Sequence, residues 1–164
     1  MKNTFYLLLL FFVFFTMFAM NLTVDPAFSQ TNNITVTSIG NSALGKLISV
    51  NKGKVIILDL WSPRCPPCRD EIPGFINLYN KYKNKGLIII GVSTDGTISS
   101  VQKFTNLNKI NYQIFLDDKT VARNYQVQFI PTTIIFNKNG KIVNKHVGFV
   151  SESDFEKEIL PLLK

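Results

Sequence analysis

The sequence predicts an α/β domain: a central mixed sheet with helices on both faces, preceded by an N-terminal hydrophobic targeting helix. Three features carry this. Two uninterrupted apolar, β-branched runs, Lys54–Trp61 and Leu87–Ser93, have the pattern of strands buried on both faces. Each is followed by apolar residues at helical spacing, which gives β-α-β-α order and parallel pairing. Near the C-terminus two strand-like runs flank Asn139-Gly140, a turn signal that adds an antiparallel pair.

From the N-terminus, residues 5–20 carry no charge and follow a flank made positive by Lys2 and the amino terminus. A basic segment before an apolar one is the order of a secretory signal peptide. Asp25-Pro26 breaks the run, and Ala27 and Ser29 are small residues at the −3 and −1 positions of a cut before Gln30. Retention as an anchor is the alternative, since the uncharged stretch from Asn3 to Val24 meets the roughly 20 residues a spanning helix needs. Either way residues 1–29 send the rest out of the cytoplasm, with positive charge left inside. No cysteine lies near this run, so lipid attachment there is not expected.

Residues 30–52 read as a polar linker and an edge strand, Ile34–Ile39, with 40–51 of ambiguous pattern. The domain proper is expected over 53–164. After the strand ending at Trp61, Pro66–Tyr82 places Ile72, Phe75, Ile76, Leu78, Tyr79 and Tyr82 on a helical stripe, kinked at Pro73 and capped by Gly86. A second helix runs from Ser99 or Ser100 to about Leu107, with Val101, Phe104 and Leu107 inward. Tyr112–Leu116 is extended, Thr120–Tyr125 forms a turn or two of helix, and Thr132–Phe136 and Lys141–Val147 are the hairpin strands. Ser151 caps a final helix to about Leu163, with Phe155, Ile159 and Leu162 inward and Glu152 and Asp154 in the first turn.

The 164 residues suit one domain with a real core. The net charge is +7, but the lysines are scattered and lack interleaved aromatics. A solvated basic surface accounts for them, and nucleic acid is not an expected partner.

The only two cysteines are Cys65 and Cys68, in Trp61-Ser62-Pro63-Arg64-Cys65-Pro66-Pro67-Cys68-Arg69-Asp70-Glu71-Ile72-Pro73. Two thiols two residues apart, between a strand end and a helix start, can close into a disulfide without moving the backbone. The helix start offers free N–H groups and a positive dipole end to a thiolate. A purely structural bridge is disfavoured, because so small a loop restrains little chain entropy. Zinc is disfavoured too: two Cys and one His fall short of a structural site's four ligands. No metal is expected.

At these residues the sequence resembles thioredoxin, and within that fold the TlpA/ResA/CcmG branch of extracytoplasmic thiol–disulfide oxidoreductases. The resemblance covers about residues 53–164 and rests on Gly53-Lys54-Val55, Trp61, Cys65-Pro66-Pro67-Cys68-Arg69, Glu71, Pro73 and Ile130-Pro131-Thr132-Thr133. It implies a thioredoxin-like fold and an enzyme in which Cys65 is the nucleophile and Cys68 the resolving thiol. Asp59 matches thioredoxin's buried acid, and Glu71 the acid three residues past the second cysteine in the branch; either would take the Cys68 proton. Pro131 matches the superfamily's cis-proline, which would hold Ile130 extended for a substrate strand and keep metal off the thiols. Trp61 would serve as wall and core packing rather than chemistry, close enough to the pair to report its redox state by fluorescence. Arg64 departs from the pattern, since an uncharged residue is usual there; it would lower the Cys65 pKa and favour acidic partners, or be a solvated arginine. His146, the only histidine, lies in a run resembling the hairpin of cytochrome-maturation members; lacking a local partner, it is expected to pack or face solvent.

The implied activity is reduction of protein disulfides, for example in apocytochrome c or copper-site proteins. A membrane electron donor of the CcdA/DsbD type would recharge the enzyme. No cofactor and a monomeric state are expected. Two alternatives stay open: a disulfide-forming oxidase of the same fold, toward which Arg64 leans and Pro66-Pro67 does not, and a Sco-like copper metallochaperone, against which the two-residue spacing counts. A peroxidase would want proline seven positions before the cysteine, where Leu58 stands.

Overall fold

The computed structural model describes residues 34–164; the expected targeting segment lies outside them. Six strands form one sheet: β1 (Thr37–Ile39), β2 (Val55–Trp61), β3 (Leu87–Ser93), β4 (Gln113–Asp117), β5 (Thr132–Phe136) and β6 (Ile142–Val147). Their spatial order is β1-β4-β3-β2-β5-β6. The first four in that order pair in parallel, and β5 and β6 close the sheet antiparallel.

Alternation along β2 explains why it can be apolar at every position but Asp59. Val55, Ile57 and Trp61 face one core and Ile56, Leu58 and Leu60 the other, because successive side chains point to opposite faces. Helices α2 (Pro66–Tyr82), α3 (Ile98–Leu107) and α5 (Glu152–Leu163) cover the first face through Ile72, Phe75, Leu78, Val101, Phe155 and Ile159. Helices α1 (Asn41–Val50) and α4 (Val121–Asn124) cover the second through Leu44, Ile48 and Val121.

Helix α1 occupies the segment the sequence left ambiguous. Its signals are weak: Gly40 at the N-cap makes no side-chain cap bond, Gly45 lies inside, and burial of Leu44 and Ile48 holds it instead. Strand β1 is shorter than the expected Ile34–Ile39, because Gln102 takes the earlier backbone groups. Its side chain accepts from Val36 N at 2.8 Å and donates to Ile34 O at 2.7 Å.

Leu107 is a correction. Expected inward, it is 71% exposed, and Thr105 is buried in its place. The inward stripe of α3 is Val101 and Thr105, four residues apart, with the Thr105 hydroxyl bonded to Val101 O at 2.9 Å; Leu107 is two positions further and lies on the far side. Helix α2 runs unbroken through Pro73, and after a 3₁₀ turn at Lys83–Lys85 the chain turns at Gly86 with φ 93°.

Candidate active site

Strand β2 ends at Trp61, and the turn after it delivers Cys65 to the start of α2. Cys65 N donates to Ser62 O at 3.1 Å, and Arg64 N to the Ser62 hydroxyl at 3.2 Å. Cys65 is the N-cap, with Pro66 and Pro67 in the two first helical positions, where a missing N–H costs the helix nothing. Cys65 and Cys68 form a disulfide with Cα atoms 5.3 Å apart. Cys68 N–H points at Cys65 Sγ at 3.3 Å. Cys68 is buried, whereas Cys65 is half-buried and so is the sulfur a partner can reach.

Beside Cys65 stands the cis Ile130–Pro131 bond, with Ile130 O 3.7 Å from Cys65 Sγ. The loop is braced twice: the Thr132 hydroxyl donates to Phe129 O at 2.7 Å, and Gly148 N to Pro131 O at 2.8 Å.

Two carboxyls lie in the core beneath. Asp59 is 1% exposed, sits between Gly91 and Thr133 in the sheet, and has one oxygen, Oδ1, without a hydrogen bond. Burial pushes its pKa well up, and the nearby Glu71 charge pushes it further. Glu71, 4% exposed, accepts from Val150 N at 2.7 Å through Oε1, while Oε2 has no partner among the described residues. Burial raises it to about 7, against the lowering effect of the Val150 bond. Tyr112, also fully buried, is pushed up by burial and then by the charges of both carboxyls. A thiol proton can be held here near neutral pH.

Trp61 is completely buried and packs on Phe104, ring centroids 5.2 Å apart, so it walls the core and not the open side. Glycine at 91 makes room for it: a Cβ there would lie 3.1 Å from Trp61 Nε1 and 2.6 Å from Ile114 Cδ1.

The other singled-out residues have partners that only folding supplies. Arg64 is exposed and bonded to Asp95, through Nε at 3.0 Å and through a second guanidinium nitrogen. Its charge is thus engaged by a neighbour from the β3–α3 loop, not aimed solely at Cys65. His146 packs as expected, edge-on to Phe155 at 5.7 Å, and the fold adds a polar partner that its sequence neighbours do not supply. Its Nε2 lies 3.0 Å from Glu158 Oε2 on α5, a residue twelve positions away that the turn into α5 returns to β6. Sequence pattern does not mark Asp95, Val150 or Glu158; each is an ordinary residue type made significant by a contact with a residue distant in the chain.

A profile of the AhpC/TSA family matches residues 26–145. A protein named thiol-disulfide oxidoreductase ResA, from Halalkalibacterium halodurans, is 31% identical over 150 residues, covering 90% of this chain and 85% of that one. One of the same name from Bacillus thuringiensis is 33% identical over 123 residues, 71% of each chain. Among solved structures, a protein assigned as thiol:disulfide interchange protein DsbE from Chlorobium tepidum superposes with a TM-score of 0.68 at 31% identity. That match covers 71% of this chain and 85% of the other.

Proposed function

The chain belongs to the AhpC/TSA family, has the thioredoxin-like fold and is a thiol–disulfide oxidoreductase of the ResA/DsbE type, and from that premise we propose that it reduces protein disulfides outside the cytoplasm. The observation that carries this reading is the half-buried Cys65 sulfur set 3.7 Å from Ile130 O beside cis-Pro131, with Cys68 and the carboxyls of Asp59 and Glu71 buried in the core.

In the proposed cycle the Cys65 thiolate attacks a substrate disulfide and forms a mixed disulfide. Asp59 or Glu71 takes the Cys68 proton, and the Cys68 thiolate attacks Cys65 Sγ and frees the reduced substrate. Ile130 holds the substrate strand across the cis-proline. The direction is supported by electrostatics at Cys65. Two prolines remove N–H donors, and Arg64 is engaged by Asp95, so the thiolate keeps mainly the Cys68 N–H. A thiolate with few stabilising partners makes the dithiol the stronger reductant.

Haem-attachment cysteines of apocytochrome c or copper-site thiols fit as substrates, and a membrane donor of the CcdA/DsbD type fits as the source of electrons. Residues 1–29 would be the signal or anchor that exports residues 30–164, acting as a monomer. The test is the reduction potential of the Cys65–Cys68 couple in the full chain, equilibrated with glutathione and dithiothreitol buffers and followed by Trp61 fluorescence. A value near the thioredoxin figure of about −270 mV is expected; one near about −120 mV would make the protein an oxidase.

A further inference from the structure

We propose that Asp59, Thr133 and His146 form a proton path across the sheet, carrying the Cys68 proton to solvent at Glu158; this rests on the thiol–disulfide exchange reading above. The register supplies the alignment. Asp59 on β2 is directly opposite Thr133 on β5, and Thr133 is directly opposite His146 on β6. Opposed residues share a face with Cβ atoms about 5 Å apart, a gap that a hydroxyl or ring plus one water spans. The face is the one under α2 and α5: Asp59 lies between Ile57 and Trp61, Thr133 is two residues before Ile135, and the His146 ring packs edge-on to Phe155 at 5.7 Å.

The inner end of this row is unusual for a core. Asp59 Oδ1, Thr133 Oγ1, Glu71 Oε2 and Trp61 Nε1 are all buried with no hydrogen-bond partner among the described residues. Buried polar atoms are ordinarily paired, so four orphans in one core point to groups that bond to water and to a proton in transit. Valine at 133 would fill the same space without an orphaned hydroxyl.

The outer end meets solvent. Glu158 Oε2 is 3.0 Å from His146 Nε2 and accepts from Asn144 Nδ2 at 2.7 Å. Asn144 and Glu158 line a surface hollow of about 180 Å³ with Ile135, Val143 and Leu162. Asp59 is faced by Glu71 from α2 and by Tyr112 from the segment before β4; His146 is faced by Glu158 from α5. Lys145, next along β6, turns away to Tyr125 O.

The chemistry requires an exit. When Cys68 gives its proton to the buried carboxyl, its sulfur bonds to Cys65 Sγ and the Cys65–substrate bond breaks, the electron pair leaving on the substrate thiolate. The cysteine pair is oxidised by two electrons and the substrate disulfide reduced by two. One proton stays on a carboxyl that is at most 4% exposed. In the proposed path the Thr133 hydroxyl accepts it and passes its own proton to His146. The imidazole takes a proton on one nitrogen and releases one from the other.

The test uses the full-length chain with Thr133→Val and His146→Ala, measuring turnover on a disulfide substrate by stopped-flow Trp61 fluorescence at pH 7. Each variant is expected to slow turnover about tenfold with the reduction potential unchanged, and millimolar imidazole should restore His146→Ala but not Thr133→Val. Wild-type rates in either variant, or a slowed His146→Ala that imidazole leaves slow, would overturn the path. Should His146→Ala unfold, Thr133→Val decides: a slowed rate at unchanged melting temperature and potential supports the path, and any other result refutes it. A wild-type chain without exchange activity would instead refute the reading of function, which the variants' comparison does not share.

Discussion

Replacing Glu71 by glutamine should stabilise the oxidised domain in alkaline solution and leave it nearly unchanged near pH 4. Glu71 is 4% exposed, and burial lifts its carboxyl from an ordinary 4.5 to about 7. Because the folded value is the higher one, the native state binds more protons than the unfolded chain between those two pH values. Stability therefore falls as pH rises through that window, and the full penalty is in place above about pH 7. The difference between about 7 and 4.5, at about 1.4 kcal/mol per pH unit, comes to about 3 kcal/mol. Glutamine keeps the shape, and its Oε1 can still accept from Val150 N, so the substitution removes the charge and little else. For a domain of this size 3 kcal/mol corresponds to on the order of 10 °C in Tm. The assay is urea and thermal unfolding of the oxidised protein, wild type against E71Q, near pH 4 and pH 8. A gain of about 3 kcal/mol confined to pH 8 is expected. An equal effect at both pH values, or a loss at pH 8, would refute the argument that the ionised carboxylate is held in the core at a cost.

Asp59→Asn should act in the same direction, since Asp59 is pushed up by burial and by Glu71; the double variant with E71Q should show less than the sum in pH-dependent unfolding, because each charge raises the cost of the other. Asp95→Asn frees Arg64, and the Cys65 pKa, read from thiolate absorbance or alkylation rate, should fall only modestly, the ion pair being exposed; a rise would contradict the electrostatic account. Gly91→Ala pushes a methyl to within 2.6 Å of Ile114 Cδ1 and 3.1 Å of Trp61 Nε1, which should cost about 1–3 kcal/mol in urea unfolding and shift Trp61 emission. Phe155→Ala should lose about 3–5 kcal/mol, since its ring packs on Phe75 at 5.1 Å and on His146; a loss under about 1 kcal/mol would mean the core closes over the gap.

What the sequence determined on its own is what rests on local pattern. Predominantly apolar runs fix β2 and β3 as buried strands, Asn139-Gly140 fixes the β5–β6 hairpin, and Ser151 with its acidic first turn fixes the start of α5. The Cys65–Cys68 pair is equally legible, because two residues of spacing at a helix start leave one way to close. Tertiary structure decided the partnerships. Helix α1 depends on packing that outweighs its internal Gly45, and Leu107 faces out because the phase of α3 is set by the core it meets. Arg64 meets Asp95, Glu71 meets Val150, and His146 meets Glu158 across separations of 31, 79 and 12 residues. No periodicity carries such pairings. They exist because the sheet and its two helical layers bring distant segments within hydrogen-bond reach, and the same burial gives Glu71 a proton affinity that its place in the sequence does not reveal.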